Sequence, residues 1–348
     1  MFASCSTRRK IQIKRMGLHT KNLLFGCSTL AAVGFAFLGA VSSPPNVRIT
    51  AERLQQSPLI SPEGDEEAAA GTFNPAAVRH GNETVLLYRE QDSNGTSRIA
   101  YASSSDGIHF KTQNDPVFVP ETAYEKDGGV EDPRVVKIGE LFYMTYTGYN
   151  LRDAQLCLAV SKDLVHWERK GILLPAYKGK WNVGWTKSGA IIPEKIQGKY
   201  WMYYLGTGPD KRDYMGLASS VDLIHWTDAT DKPVLERHPG DWDSRVMEPG
   251  PPPIITSKGI LLIYNGADEN LVYSTGWVLF DRRDPRVVLA RAEQPFISPE
   301  LSWEKDGQVP NVIFVEGIIE EKDSILLYYG GADKYVGGMR ARITFNGK

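Results

Sequence analysis

Cysteine is almost missing from this chain. Of three, Cys5 and Cys27 lie in the first 43 residues, which leaves Cys157 alone in the body. One cysteine cannot close an internal disulfide. Within the strand-like run Gln155-Leu156-Cys157-Leu158-Ala159-Val160, Cys157 reads as a small buried filler. Histidine is also sparse, six residues with no Cys/His cluster, so no zinc or other metal site and no cofactor is expected. No window carries a sustained i, i+3, i+4, i+7 apolar pattern, so helices should be few. No acidic residue occurs before Glu52.

That last absence marks off a leader. Arg8, Arg9, Lys10, Lys14, Arg15 and Lys21 are followed by an apolar run from Leu23 to Val41 that ends in small residues. A basic start, an apolar stretch and small residues describe an export signal over residues 1–43. The run is also close to the ~20 residues that span a bilayer, so an uncleaved membrane anchor is the alternative. Exported, periplasmic or extracellular placement follows, with membrane contact only if the leader is retained. Without its six basic residues the chain has 34 basic against 42 acidic residues, a net of −8, which argues against nucleic acid as a partner. Residues 44–71, rich in Pro, Ser and Glu, read as a linker or exposed arm.

What is abundant is repetition. An apolar lead, a tyrosine and usually a nearby glycine recur around Tyr88, Tyr146, Tyr204, Tyr264 and Tyr329, at intervals of 58, 58, 60 and 65 residues. A second motif keeps the same register: Ser104-Ser105-Asp106-Gly107-Ile108-His109-Phe110, Ser161-Lys162-Asp163-Leu164-Val165-His166-Trp167 and Ser220-Val221-Asp222-Leu223-Ile224-His225-Trp226. A period of this size without helical pattern means one small sheet per repeat, and radial repetition of sheets is a β-propeller. The expected fold is all-β: a five-bladed β-propeller over residues 72–348, preceded by the signal or anchor segment. In the second motif the Asp is expected to accept backbone amides in a tight turn and the aromatic to pack between blades, which makes the three histidines scaffold.

Scaffold positions repeat, whereas functional positions diverge. The segments 13–16 residues before each repeat tyrosine should feed the innermost strands, and there each blade differs: Asn74-Pro75-Ala76, Glu131-Asp132-Pro133-Arg134, Lys187-Ser188-Gly189-Ala190, Glu248-Pro249-Gly250 and Glu316-Gly317. Asp132, Glu248 and Glu316 suit glycoside cleavage. One carboxyl protonates the leaving oxygen and a second activates water on the opposite face, as in an inverting mechanism. Tyr124, Tyr149, Trp181, Trp185, Trp242 and Tyr335 are candidates to stack on sugar rings, although packing between blades should take about half of them.

At this point a family resemblance emerges. Phe73-Asn74-Pro75-Ala76 with Arg89, Gly129-Val130-Glu131-Asp132-Pro133-Arg134, Trp242-Asp243-Ser244 leading to Pro251-Pro252-Pro253-Ile254, Gly307-Gln308-Val309-Pro310-Asn311-Val312-Ile313-Phe314 and Tyr329-Gly330-Gly331-Ala332-Asp333 resemble glycoside hydrolase family 130. These are five-bladed propellers acting on β-mannosides. The resemblance implies Asp132 as general acid, directly or through a sugar hydroxyl. It implies Asn74, Arg89 and Asp333 as holders of the mannosyl ring, with Arg134 in the same pocket. Lys187, Arg245 and Asn265 complete the candidate substrate-binding set. The implied partner is a manno-oligosaccharide or mannosylated glycan.

The family contains phosphorylases and inverting hydrolases. Phosphorylases resemble one another in a Tyr-His-Gly whose His helps to bind phosphate, and this chain has Tyr264-Asn265-Gly266. It also has Glu248 and Glu316 where phosphorylases tend to have small residues. A carboxylate repels a phosphate dianion but can serve water as a base. The expectation is therefore an inverting β-mannoside hydrolase. Glu248 is preferred as base because Pro249-Gly250-Pro251 fixes its backbone, while Glu316 orients water or sugar. The alternatives are a β-mannoside phosphorylase that releases mannose 1-phosphate and a non-catalytic sugar-binding propeller. A protein-interaction propeller would show a featureless axis, and the Glu-Asp-Pro-Arg and Gly-Ala-Asp motifs speak against arabinan- or fructan-cleaving propellers.

Overall fold

A computed structural model describes residues 46–62, 70–177, 179–237 and 239–346. The leader, whether cleaved or retained, lies outside the described residues, as do residues 63–69 of the expected linker. The strands form five antiparallel units. The first holds Gly71–His80, Glu83–Gln91, Ser97–Ser104 and the two-residue Lys111–Thr112. The second holds Gly129–Ile138, Leu141–Tyr149, Ala154–Ser161 and Trp167–Leu174. The third holds Thr186–Ile191, Tyr200–Thr207, Asp213–Ser220 and Thr227–Asp228. The fourth holds Val246–Pro249 with Ile254–Thr256, then Gly259–Ala267, Tyr273–Phe280 and Val288–Arg291. The fifth holds Ile313–Glu320, Ile325–Gly331 and Tyr335–Asn346. Among the described residues the only α-helix is Ser302–Lys305.

The units pack face to face, and each interface has its own apolar core. Leu87 and Ile99 meet Val135 and Met144 between units one and two. Leu156 and Leu158 meet Ile191 and Met202 between two and three. Met215 and Leu217 meet Leu262 and Val278 between three and four. Leu261 and Leu279 meet Ile313 and Leu327 between four and five, and Leu326 and Val336 meet Leu86 and Ala102 between five and one. The cores therefore close a ring of five, as in a five-bladed propeller. Each fully buried Leu, Ile, Val or Met among them contributes about 1.5–3 kcal/mol.

Residues 44–71 require a correction to the linker reading. Asn46–Arg53 is the outer strand of the fifth unit, paired antiparallel with Tyr335–Asn346 from Asn46↔Asn346 to Arg53↔Met339. Val47 and Ile49 alternate inward into the core between units four and five. Arg53 completes a repeated clamp. In three units the repeat tyrosine donates to a buried carboxylate that also receives an outer-strand arginine. These trios are Tyr146–Glu125–Arg169, Tyr264–Asp243–Arg291 and Tyr329–Glu304–Arg53. Asp243, read from the motif Trp242-Asp243-Ser244, is thus scaffold.

The Ser-x-Asp-x-x-His turns behave as read. Asp106, Asp163 and Asp222 each accept two backbone amides and pair with His109, His166 and His225. Cys157 is buried, and burial pushes its thiol far above the usual range.

Candidate active site

The first strands of the units pack on one another around the axis, and each of four carries a bulge at the same place. The ladder slips between Phe73 and Ala76, Glu131 and Arg134, Lys187 and Ala190, and Val315 and Gly317. A bulge re-aims side chains at a sheet rim. Three bulge residues take left-handed backbone: Asn74 at φ 50°, Asp132 at 51° and Ser188 at 58°. Such conformations cost about 1–3 kcal/mol each and persist where the surroundings over-determine them. The bulges set the equivalences in register: Asn74, Asp132, Ser188 and Glu316 hold the same bulge position, and Glu131, Lys187 and Val315 stand just before it.

Asn74, Asp132 and Lys187 of this set reach a cavity of about 140 Å³, lined by them and by Arg89, Glu248, Tyr273, Val309, Val312, Phe314 and Asp333. On its wall, three neighbours converge on Asp132. Its Oδ1 accepts from Asn74 Nδ2 at 2.9 Å and Arg89 Nη1 at 3.3 Å, and Lys187 Nζ lies 3.6 Å from Oδ2. Arg89 is itself fixed by Glu131 at 2.6 Å and Ser97 at 2.8 Å. Burial alone would raise the Asp132 carboxyl, but Arg89, Lys187 and Asn74 outweigh it and hold it down at about 2. At neutral pH Asp132 is therefore a carboxylate.

The other carboxyls go the opposite way. Burial raises Glu248 above the usual range despite Lys187, and Ser188 Oγ donates to its Oε1. Asp333, at φ 50°, is pushed up to about 6 by burial against the pull of Arg89. Lys187 is raised far above the usual ammonium range: burial opposes its charge, but Glu248 and Asp132 overcome it.

Four expected residues do not line this cavity. Arg134 lies beneath it, spending its donors on Gly250 O at 2.9 Å, Pro249 O at 2.8 Å and Asp132 O at 3.2 Å. Glu316 is buried below as well. Its Oε1 is 3.0 Å from Arg134 Nη2, yet neither oxygen has a hydrogen bond among the described residues, because those N–H groups already point at carbonyls. The distance shows charge proximity and the missing bonds show the geometry; burial accordingly pushes Glu316 well above the usual range. Asn265 bridges units four and five, donating to Val315 O at 2.9 Å and accepting from Val315 N and Thr275 Oγ1 at 2.9 Å. It is fully engaged as scaffold. Arg245 donates to Lys211 O on a neighbouring loop.

The sequence reading gave no role to Tyr273, Val309, Val312 and Phe314 on the wall or to Glu131 behind Arg89, although Val309, Val312 and Phe314 stood in a quoted motif. Glu131 stood in the motif beside Asp132. Tyr273 heads the third strand of unit four, outside the repeat positions that pointed to the ring. Of the aromatics proposed to meet sugar, Trp181 packs on Tyr204, Trp242 on Tyr264 and Tyr335 on Trp303.

Known proteins share this architecture. A family model described as beta-1,4-mannooligosaccharide phosphorylase matches residues 43–344. A 1,2-beta-oligomannan phosphorylase of Thermoanaerobacter sp. (strain X514) is 41% identical over 83% of this chain and 96% of its own. A beta-1,2-mannobiose phosphorylase of Listeria innocua is 33% identical over 71% of this chain and 67% of its own. Among solved structures, one described with glycoside hydrolases that target beta-1,2 mannosidic linkages in Candida mannan is 38% identical, with a TM-score of 0.76 over 83% of this chain and 93% of that one. The family match runs over nearly all of the described span, and the chain belongs to glycoside hydrolase family 130, enzymes acting on β-mannosides.

Proposed function

We propose that the protein cleaves β-mannosides, β-1,2-linked ones foremost, by inversion with water as the acceptor. One observation carries the choice of water: the carboxyl of Glu248 is in the cavity wall. Its acceptor there would face an incoming phosphate dianion, whereas water meets no such repulsion and gains a base. Lys187 and Arg89 are the cavity's cations, and both are already engaged with Asp132. Glu316, off the wall, faces Arg134, and the charges of Asp132 and Glu248 help to raise its pKa.

Asp132 takes the acid's role in this reading, and it must first acquire a proton. A mannosyl hydroxyl seated against it would displace part of its contact with Asn74 and Lys187. Weakening those contacts raises its pKa, and the same hydroxyl can relay the proton to the leaving oxygen. Asn74, Arg89 and Asp333 would hold the ring. The basic and apolar leader supports export as part of the proposal, with the alternative of retention at a membrane.

Phosphorolysis is the second reading, and the relatives' names favour it. Four curated relatives are named mannoside phosphorylases, more direct support than any relative's name gives to water. The deciding assay follows short β-mannosides by NMR with and without phosphate. Mannose released at equal rates in both buffers, first as the α-anomer, is the expected result. Mannose 1-phosphate formed only with phosphate would overturn it.

A further inference from the structure

A cavity of about 140 Å³ has the room of four or five waters at ~30 Å³ each, the scale of one sugar ring and not of two. The rest of an oligosaccharide must lie across the mouth, so what the mouth presents decides what it meets. Between units two and three it presents apolar surface. Trp185 is 39% exposed, Leu151 61%, Tyr177 61% and Val183 39%. Four of the ten exposed large apolar side chains of the described residues thus come from two neighbouring loops. Single exposed apolar residues need no explanation, but a cluster does.

The cluster is held next to the chemistry. Trp185 precedes the first strand of unit three and stands two residues before Lys187. Its carbonyl accepts from Thr207 N at 3.0 Å. Tyr149 pairs with Gly129, two residues before Glu131. The two rings meet edge to face, with centroids 5.8 Å apart. The indole N–H donates to Arg152 O at 3.1 Å, which fixes the ring. Tyr149 is wedged against Gly128, where an added Cβ would come within 2.4 Å of its ring. Leu151 and Tyr177 hold left-handed backbone at φ 67° and 58°, and Tyr177 N donates to Gly184 O at 2.7 Å. A rigid, exposed indole loses little entropy on binding, and rigid aromatic surface is what a neutral sugar ring stacks on.

We propose that Trp185, backed by Tyr149 and flanked by Leu151, Tyr177 and Val183, is a platform for the neutral sugar rings of the leaving group. The enzyme is thereby tuned to chains longer than a disaccharide. The inference rests on the β-mannoside reading above and adds its chain-length preference. The occupant is the continuation of the chain whose terminal ring fills the cavity, because the patch adjoins that cavity at Lys187.

The test compares wild type, Trp185→Ala, Trp185→Phe and Tyr177→Ala on β-mannobiose and on a β-mannotetraose. The ratio of kcat/KM, tetraose over biose, should fall about ten-fold in Trp185→Ala, roughly 1.4 kcal/mol. Trp185→Phe should restore most of it. Tyr177→Ala should give a smaller fall and serves if Trp185→Ala misfolds. Val221→Ala, in an exposed turn elsewhere, should leave the ratio alone. Calorimetry of tetraose binding to Asp132→Asn, with and without Trp185→Ala, gives a readout free of turnover. An unchanged ratio with unchanged binding overturns the platform. If wild type cleaves no β-mannoside yet tetraose binding depends on Trp185, the cleavage reading falls and the platform stands. If Asp132→Asn binds no tetraose, the platform falls.

Discussion

Glu248→Gln is the most informative single change, because it removes a charge and keeps the shape. The charged side chains on the cavity wall are Arg89, Lys187, Asp132, Glu248 and Asp333. With all five ionised, two positive and three negative charges leave the wall at −1, and the substitution brings it to zero. A unit pair at about 4 Å is worth ~1 kcal/mol in water and ~4 kcal/mol at an effective dielectric of 20. Each unit of charge on an incoming anion should therefore gain between those limits. Hydrolysis in phosphate-free buffer should fall by at least ~10², the low end for losing a positioned base. Azide, no longer repelled and needing no deprotonation, should restore part of the turnover as the α-mannosyl azide. The wild-type rate should rise with pH through the elevated pKa of Glu248, which lies above 4.5, and the variant should lose that limb. Product chromatography across pH, with and without azide, reads all of this. A variant that hydrolyses within a few-fold of wild type, with the same low-pH limb, would refute the assignment of Glu248 as base.

Two further changes test the cost of the site and the closure of the ring. Asp333→Asn should stabilise the protein at pH 8 and not at pH 4. The native carboxyl is raised from 3.8 to about 6, so folding loses stability as pH rises through that window. At 1.36 kcal/mol per unit the gain is at most ~3 kcal/mol, with activity lost, and calorimetric Tm values at the two pH values check it. Arg53→Ala strands buried Glu304, which receives Arg53 Nε at 2.6 Å and Nη2 at 2.8 Å, and should cost about 3–5 kcal/mol in denaturant unfolding. Burial alone would raise Glu304, but Arg53, two backbone amides and Tyr329 hold it below 4.5. Its stabilisation is therefore full above that pH, and the difference between variant and wild type should shrink as pH falls through the native value. A loss under ~1 kcal/mol at pH 7 would sink the clamp.

Most of the ring was legible because its units are local. The tyrosine period, the Ser-x-Asp turns and the polar divergence on the first strands are all written within ~60 residues. Asn74, Asp132, Lys187 and Glu248 converge where that divergence pointed, joined by Arg89 and Asp333, which the family resemblance supplied. What escaped is non-local. Asn46–Arg53 meets its partner across nearly the whole chain, and no repeat tyrosine marks an outer strand. Glu316 and Glu248 looked equivalent in sequence, yet Glu316 is off the wall, 3.0 Å from Arg134. Asn265 stood at a phosphate-binding position by analogy, but Thr275 and the Val315 backbone absorb every polar atom it has. The low pKa of Asp132 could not be read either, since it arises from Arg89 and Lys187 in two other units.

The closing strand also sets an order of events during synthesis. Asn46–Arg53 is made early, and its partner Tyr335–Asn346 is made last. For the interval in between, the ring has an open seam, with one face of the first unit uncovered and an eight-residue edge unpaired. Such an edge is a template for pairing with another chain. Joining ends about 300 residues apart costs roughly (3/2)RT ln n, or ~5 kcal/mol, recovered only when Val47, Ile49 and Arg53 dock together. A chain that stalls before residue 335 thus lacks more than its last strand. It displays two edges, those of Asn46–Arg53 and Ile325–Gly331, and both await the same missing strand, so only a chain that has completed its own Tyr335–Asn346 could fill them.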